Sequence, residues 1–519
     1  MKEFLRKPIV PVSTLIALLL VSFVLYTTCS FAEAKHPDKG SVQFGATERP
    51  KINTPPQFEV FKTVFADIGE KVVPTVVSVI PTKIDTVVFS NNPFYQFFDD
   101  PFGNPFEEFF GQPRNRRPPP VEKREYRQQG LGSGVIVSND GYILTNFHVV
   151  AGADEIEVKT SDGRTFEAGV VGVDSLSDVA VIKIKEKVKD LPVAYLGDSD
   201  KLRPGDWAIA VGNPFSLTSS VTMGIISALG RQTPGMDNSK YQNYIQTDAA
   251  INPGNSGGAL VNINGELIGI NTLIYTQSGG YMGIGFAIPI NMARRIMEDL
   301  IYEGKVSRGF LGVSIQDLDP TTREAFGLGS EVKGVLIGDV FKGQPADKAG
   351  IKRGDIIVSV NGKAMNEAND LKNYIATFHP GAKVPVEVLR GGKKMNFQIK
   401  LTTRDGNMQE QSSLDNNQDN DKSSADVAQK LGIKVGELTP ELKKSLGVKG
   451  VLVLNVEESS QAAQEGIRRD DIILEVNRQP VESVKDFKQI TKSFKTGESV
   501  LFLLQRGENT FFKAFKIRK

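Results

Sequence analysis

A chain of 519 residues, 40% hydrophobic and 24% charged, can bury several cores and should fold as about three or four domains. Its 62 basic and 61 acidic residues leave a formal net charge of +1, which argues against nucleic acid as its principal partner. A single cysteine, Cys29, excludes a disulfide framework within the chain.

The N-terminus carries Lys2, Arg6 and Lys7, then an uncharged apolar run, then Ala32-Glu33-Ala34. That order describes an export signal, residues 1–34, cut after Ala34. The run from Pro8 to Ala32 is also long enough to span a bilayer, so a retained anchor is the alternative. Against the anchor stand Pro8 and Pro11 at its start and Thr27, Thr28 and Ser30 after it. A lipoprotein signal at Cys29 fits less well, because Tyr26-Thr27-Thr28 lacks a Leu-small-small lead. The cut chain would have no cysteine, and an exported, cysteine-free protein of this size points to a bacterial periplasm.

Residues 35–56 are polar, contain Pro50, Pro55 and Pro56, and read as a flexible lead-in. Phe61, Val64, Phe65 and Ile68 then fall at helical spacing and predict the helix that starts the folded body. From residue 75 the period changes to short β-branched runs at 75–80, 134–137, 155–159, 179–184, 207–211, 224–229, 258–261 and 267–272. Turn signals such as Asn139-Asp140-Gly141 separate them. Such spacing without intervening helices predicts a mainly β fold, a sandwich or barrels. One insertion, 85–129, interrupts the strands with seven phenylalanines from Phe94 to Phe110 and then Pro118-Pro119-Pro120. It is either disordered or docks its aromatics on a surface.

A helical pattern covers 292–302, and an internal repeat follows. Gly334-Val335-Leu336-Ile337 recurs as Gly450-Val451-Leu452-Val453, and Gly350-Ile351-Lys352-Arg353 recurs as Gly466-Ile467-Arg468-Arg469. The spacing is 116 residues both times, from 334 to 450 and from 350 to 466. Between the copies, 405–426 is rich in Asn, Asp, Gln and Ser and reads as a flexible tether.

Gly254-Asn255-Ser256-Gly257-Gly258 can make a tight turn that exposes the Ser256 hydroxyl and lets the Gly254 and Ser256 N–H groups converge on an oxyanion. A serine hydroxyl needs a base. Of three histidines, His36 lies in the lead-in and His379 precedes Pro380, whereas His148 sits in the apolar segment Leu144-Thr145-Asn146-Phe147-His148-Val149-Val150. Asp178 opens a predicted strand. Taken singly, each is equally a core histidine, a turn aspartate or a structural serine. Together they stand in the order His, Asp, Ser, which is that of chymotrypsin-like proteases and not of subtilisins or α/β-hydrolases.

Thr145-Asn146-Phe147-His148-Val149-Val150, Asp178-Val179-Ala180-Val181, Gly212-Asn213-Pro214-Phe215, Gln246-Thr247-Asp248-Ala249-Ala250-Ile251-Asn252-Pro253-Gly254-Asn255-Ser256-Gly257-Gly258 and Gly283-Ile284-Gly285-Phe286-Ala287-Ile288-Pro289 resemble the HtrA/Deg family of serine proteases. With two repeats the chain is similar to its periplasmic Do subgroup. The resemblance implies a chymotrypsin-like double β-barrel protease domain over 57–303, with 85–129 as its regulatory loop. PDZ domains, small β-barrels with helices, are implied over 309–402 and 427–519, with 405–426 as linker.

The resemblance further implies a pocket for the residue before the cut in the loop from Leu273 to Ile284, suited to Val, Ala or Ile, and a regulatory role for Arg231. It places peptide-binding loops at Phe310, Leu311, Gly312 and Val313 and at Leu431, Gly432 and Ile433, with facing helices at 366–378 and 483–494. The second copy is alternatively an assembly module. Asn255 replaces the Asp that pairs with a cleaved N-terminus in digestive proteases, so activation by such cleavage is not expected. The implied activity is ATP-independent degradation of misfolded envelope proteins without metal or cofactor, with holdase-like chaperoning as a further or rival activity. Expected partners are unfolded proteins, C-terminal peptides, the membrane surface, and further copies in trimers or multiples of trimers.

Overall fold

The strand Val179–Ile184 reads Val-Ala-Val-Ile-Lys-Ile, apolar on both faces, so both faces must be covered. A computed structural model describes residues 61–89, 122–213, 219–233, 240–276, 281–403, 426–428, 431–507 and 509–518. They lie within one compact unit, Phe61–Lys519. The export signal, the lead-in and the phenylalanine cluster of the insertion lie outside the described residues.

Helix α1 (Phe61–Val72) leads into a six-stranded barrel. Its strands run β1 (Val76–Phe89), β3 (Gly132–Ile136), β4 (Tyr142–Asn146), β7 (Val179–Ile184), β6 (Thr165–Asp174) and β5 (Glu155–Lys159), and β5 closes the ring by pairing back on β1. The tip of β1 pairs with β2 (Glu122–Gln129), so both ends of the insertion are strand and only its middle falls outside the described residues. A second closed barrel runs β10 (Tyr244–Thr247), β13 (Gly285–Pro289), β12 (Leu267–Ile274), β11 (Ala259–Val261), β8 (Trp207–Gly212) and β9 (Ser220–Arg231).

Alternate residues explain the unbroken apolar runs. Val77, Ile143, Ala180 and Ile182 fill the first barrel, while Ala208, Ala210, Ile245 and Leu260 fill the second. Their neighbours Val76, Leu144, Val181, Ile209, Val211 and Ile270 form a third core between the barrels. Helix α3 (Ile290–Tyr302) closes that core with Ile290, Ala293, Ile296 and Leu300, its one apolar stripe. Each of the isoleucine and leucine side chains contributes about 1.5–3 kcal/mol when fully buried. The layer matters for chemistry because the candidate residues sit along its seam.

The first repeat copy is a sheet of β15 (Val313–Asp317), β16 (Val335–Val340), β17 (Ile356–Val360), β19 (Lys383–Arg390) and β20 (Lys393–Lys400). The short strand β18 (Lys363–Ala364) pairs with β17, and β14 (Gly309–Phe310) pairs with β21 (Thr402–Thr403). Its helices are α4 (Pro320–Ala325), α5 (Pro345–Ala349) and α6 (Ala368–Ala376). The second copy is a sheet of β22 (Asp426–Ala428), β23 (Ile433–Glu437), β24 (Val451–Val456), β25 (Ile472–Val476), β27 (Ser499–Arg506) and β28 (Asn509–Lys516), with β26 (Gln479–Pro480) on β25. Its helices are α7 (Pro440–Leu446), α8 (Gln461–Gln464) and α9 (Val484–Lys492).

Each copy keeps one buried ion pair at the same place. Arg390 grips Asp355, 1% exposed, through Nε at 2.6 Å and Nη2 at 2.7 Å, and Arg506 grips Asp471, 0% exposed, at 2.6 and 2.8 Å.

The copies are not independent beads on a tether. Leu318, Leu336 and Ile356 of the first form one apolar cluster with Leu501, Leu503, Phe512 and Ala514 of the second, which is sheet-on-sheet packing. The Gln316 amide makes both bonds of a strand pair with Phe512, donating to its carbonyl at 3.1 Å and accepting from its N–H at 2.8 Å. Lys516 reaches Glu324 at 2.7 Å.

Candidate active site

Strand β4 ends at Asn146, and one helical turn, α2 (Phe147–Val150), carries His148. Opposite it Asp178 opens β7 with φ of 58°, a left-handed conformation that costs an aspartate energy. Its hydrogen bonds hold it there. The Asp178 carbonyl accepts from Phe147 N–H at 3.1 Å and Asn146 Nδ2 at 3.1 Å. Its carboxylate accepts from His148 N–H at 3.0 Å, His148 Nδ1 at 2.8 Å and Thr272 Oγ1 at 2.7 Å. A carboxylate can only accept, so the proton sits on Nδ1 and leaves the Nε2 lone pair for use as a base.

Ser256 stands on the predicted glycine turn. Gly257 has φ of 83°, and a Cβ there would lie 2.1 Å from the Ser133 carbonyl, so no other residue fits. Ser133, wholly buried in the first barrel, pins the turn of the second: its hydroxyl donates to Gly254 O at 2.6 Å, and its N–H donates to Ser256 O at 2.8 Å. The next amides are held as well, Asn255 N–H on Asn252 O at 3.0 Å and Gly257 N–H on Asn271 O at 2.8 Å. Among the described residues the N–H groups of Gly254 and Ser256 have no protein partner, as an oxyanion site requires. Asn255 is 2% exposed with its Oδ1 unpartnered. A neutral amide can be buried without a counter-charge, whereas a carboxylate at that place would demand a cation.

Thr272 could not be singled out from the sequence. The pairing of β12 with β13 skips it, leaving it as the extra residue of a β-bulge. The bulge turns both of its polar groups into the site: the hydroxyl holds Asp178, and the carbonyl accepts from Ser256 Oγ at 3.0 Å. The Ser256 hydroxyl therefore donates to Thr272 and not to His148. Use of His148 as its base would require a rotation about the Ser256 side chain. Tyr244 lies nearby, its hydroxyl pushed up to about 12 by burial first and the Asp178 charge second, so it stays neutral and donates no charge to the site.

These parts match known proteins closely. Residues 132–270 match the trypsin-like peptidase domain family, and residues 309–401 and 429–511 each match the PDZ domain family. A probable periplasmic serine endoprotease, DegP-like, of Chlamydia trachomatis is 43% identical over 435 residues, 82% of this chain and 81% of that protein. The chain belongs to the DegP-like serine endoproteases of the HtrA family. The protease is likewise 42% identical over 406 residues to the DegP-like protein of Pseudomonas putida strain W619, covering 78% of this chain and 82% of that one. The solved HtrA-type protease AlgW with decapeptide superposes with a TM-score of 0.51 at 41% identity, covering 66% of this chain and 98% of that one. This protease is a serine endopeptidase, and its two repeats are PDZ domains, PDZ1 and PDZ2.

Ile284 is half-buried at the seam core, its carbonyl accepting from Tyr275 N–H at 3.1 Å, and Tyr281 Oη donates to Asp248 O at 2.5 Å. No charged residue lies in 273–284. Arg231 ends β9 and bonds Gln246 Oε1 at 3.1 Å, so it braces the strand leading to Ser256. PDZ1 touches the neighbouring segment instead: Asn369 and Asn373 of α6 both donate to Gln242 O at 2.7 Å, and Lys372 Nζ donates to Lys240 O at 2.7 Å. Tyr241 N–H in turn donates to Leu176 O at 2.9 Å, in the turn before Asp178. A buried pair completes this junction, Arg308 from the approach to PDZ1 gripping Asp174, whose carboxylate also anchors Ser177. Arg308 stacks on Tyr241 at 4.4 Å.

Phe310, Leu311, Gly312 and Val313 lead into β15, and Leu431, Gly432 and Ile433 lead into β23. The expected helices are present as α6 and α9, each shorter than 366–378 and 483–494.

Proposed function

We propose that the chain degrades unfolded proteins of the cell envelope in the periplasm, cutting after small aliphatic residues, with its resting activity held low until a peptide engages PDZ1. The observation that carries the regulatory part is the Ser256 hydroxyl turned onto Thr272, beside a catalytic aspartate turn that is bonded to PDZ1 through Arg308 and Tyr241. Because the helix facing the PDZ1 groove, α6, is also the element on Gln242, a peptide entering that groove displaces the atoms that hold the turn.

The test is turnover of a small reporter against concentration of a peptide with an apolar C-terminus. Peptide should speed wild type with a coupling of about 1–3 kcal/mol. Arg308→Ala should raise peptide-free turnover about five-fold and shrink the activation ratio, and Arg231→Ala should shrink the ratio with peptide affinity kept. Identical peptide response in wild type and Arg308→Ala would remove the junction from the control.

Specificity follows from the pocket loop. An uncharged lining cannot offset burial of a Lys or Arg cation, so mass spectrometry of a digested unfolded protein should find cuts after Val, Ala or Ile. Dominant cleavage after basic residues would refute the assignment of Ile284.

Assembly into trimers is supported by the outer face of β9, where Val221, Met223 and Ile225 are 42%, 51% and 37% exposed in one stripe beside Trp207. A stripe of that kind is unusual on a monomer's surface. With its serine replaced, the same assembly would retain clients without cutting them, which is a chaperone's activity.

A further inference from the structure

The two PDZ copies share their loop geometry and differ at one edge. Gly312 and Gly432 are both left-handed, with φ of 79° and 65°. The Gly312 carbonyl accepts from Phe341 N–H and the Gly432 carbonyl accepts from Glu457 N–H, both at 2.9 Å. In PDZ1 the strand after the loop, β15, is the last of its sheet, and among the described residues no strand pairs with its far edge. In PDZ2 the corresponding strand, β23, has a neighbour on that side. Strand β22 pairs with it antiparallel, Asp426 opposite Val435, Val427 opposite Lys434 and Ala428 opposite Ile433.

The direction of β22 decides what it stands in for. A peptide added to a PDZ edge runs antiparallel to the strand after the loop, with its C-terminal end at the loop. Strand β22 runs that way, reaching Ala428 at the start of β23. It takes the main-chain hydrogen bonds from which an extended ligand would draw its affinity. The flank of the loop differs in the same sense: Phe341 stacks with Phe310 in PDZ1, 6.5 Å between centroids, where PDZ2 presents the exposed acid Glu457, which repels a C-terminal carboxylate.

Resting on the reading of both repeats as peptide-binding modules, we infer that the chain's own segment Asp426–Ala428 is the ligand of the PDZ2 edge. PDZ1 alone is then open to C-terminal peptides, and an incoming strand must first displace residues 426–428 to reach PDZ2.

Calorimetric titration of the full Ser256→Ala protein with a decapeptide ending in two apolar residues and a free carboxylate should give one peptide per chain. Asp426→Pro with Val427→Pro in that background removes both N–H groups, so one ladder bond is lost whichever residue faces β23. Two peptides per chain are then expected, with faster amide hydrogen exchange across 433–437 and unchanged exchange across 313–317. Two peptides bound by the Ser256→Ala protein itself, or exchange across 433–437 that the prolines leave unaltered, would overturn the inference. One peptide per chain in both proteins would overturn it as well. Binding to neither protein, with exchange in 433–437 accelerated, would overturn the peptide-module reading and leave the strand pairing standing.

Discussion

Ser256→Ala is expected to lower turnover of casein or a peptide reporter by about a million-fold while the protein stays folded. Among the described residues the side chain makes a single hydrogen bond, to Thr272 O, and its loss strands no buried charge. Asp178→Asn should cost about ten-thousand-fold by a different route. An amide in place of the carboxylate can turn its NH2 toward His148, which favours the tautomer with the proton on Nε2, and a nitrogen that already carries a proton cannot act as base. The pair of results separates nucleophile from orienter. Retention of more than a few per cent of wild-type cleavage by the Ala variant would mean that another group attacks the peptide bond.

The second large effect lies far from the chemistry. Arg390→Ala should destabilise PDZ1 by about 3 kcal/mol, because it leaves Asp355, 1% exposed, without its counter-charge. Arg390 also donates to Gly350 O at 2.7 Å and lies 5.5 Å from the centre of the Phe397 ring, so truncation loses packing as well. Scanning calorimetry should register an early transition, with active-site titration of the protease domain unchanged below it. A variant that melts with wild type would place the stability of PDZ1 elsewhere.

Much of the candidate site was legible because its residue types are scarce. Only three histidines are present: His36 lies in the polar lead-in and His379 follows Ser256, which leaves His148 ahead of Asp178 and the serine of the glycine turn in chymotrypsin order. Thr272 and Ser133 were not legible. They act through hydroxyls on partners 94 and 121 residues away, and a threonine in an apolar strand or a serine beside glycine carries no mark of that use. Arg308 and Asp174 are hidden in the same way, paired across 134 residues. Strand β6 escaped notice because Gly169, Gly172 and its exposed residues break the alternation, and β13 because it begins with glycine and ends in proline, both turn signals. The linker, 404–425, lies outside the described residues, and the packing of PDZ1 on PDZ2 was not legible for a particular reason. A run such as Val335-Leu336-Ile337 looks the same whether one face or two are buried, and here Leu336 belongs to the contact with PDZ2.

That contact changes what a break in the chain between the two PDZ domains would mean. Residues 404–425 join domains already held together by seven buried apolar side chains, the Gln316 bridge and the Lys516–Glu324 pair. A single cut between them would yield two bands on a denaturing gel, yet the fragments would travel together through a native column. Covalent continuity there is not what keeps PDZ1 and PDZ2 side by side.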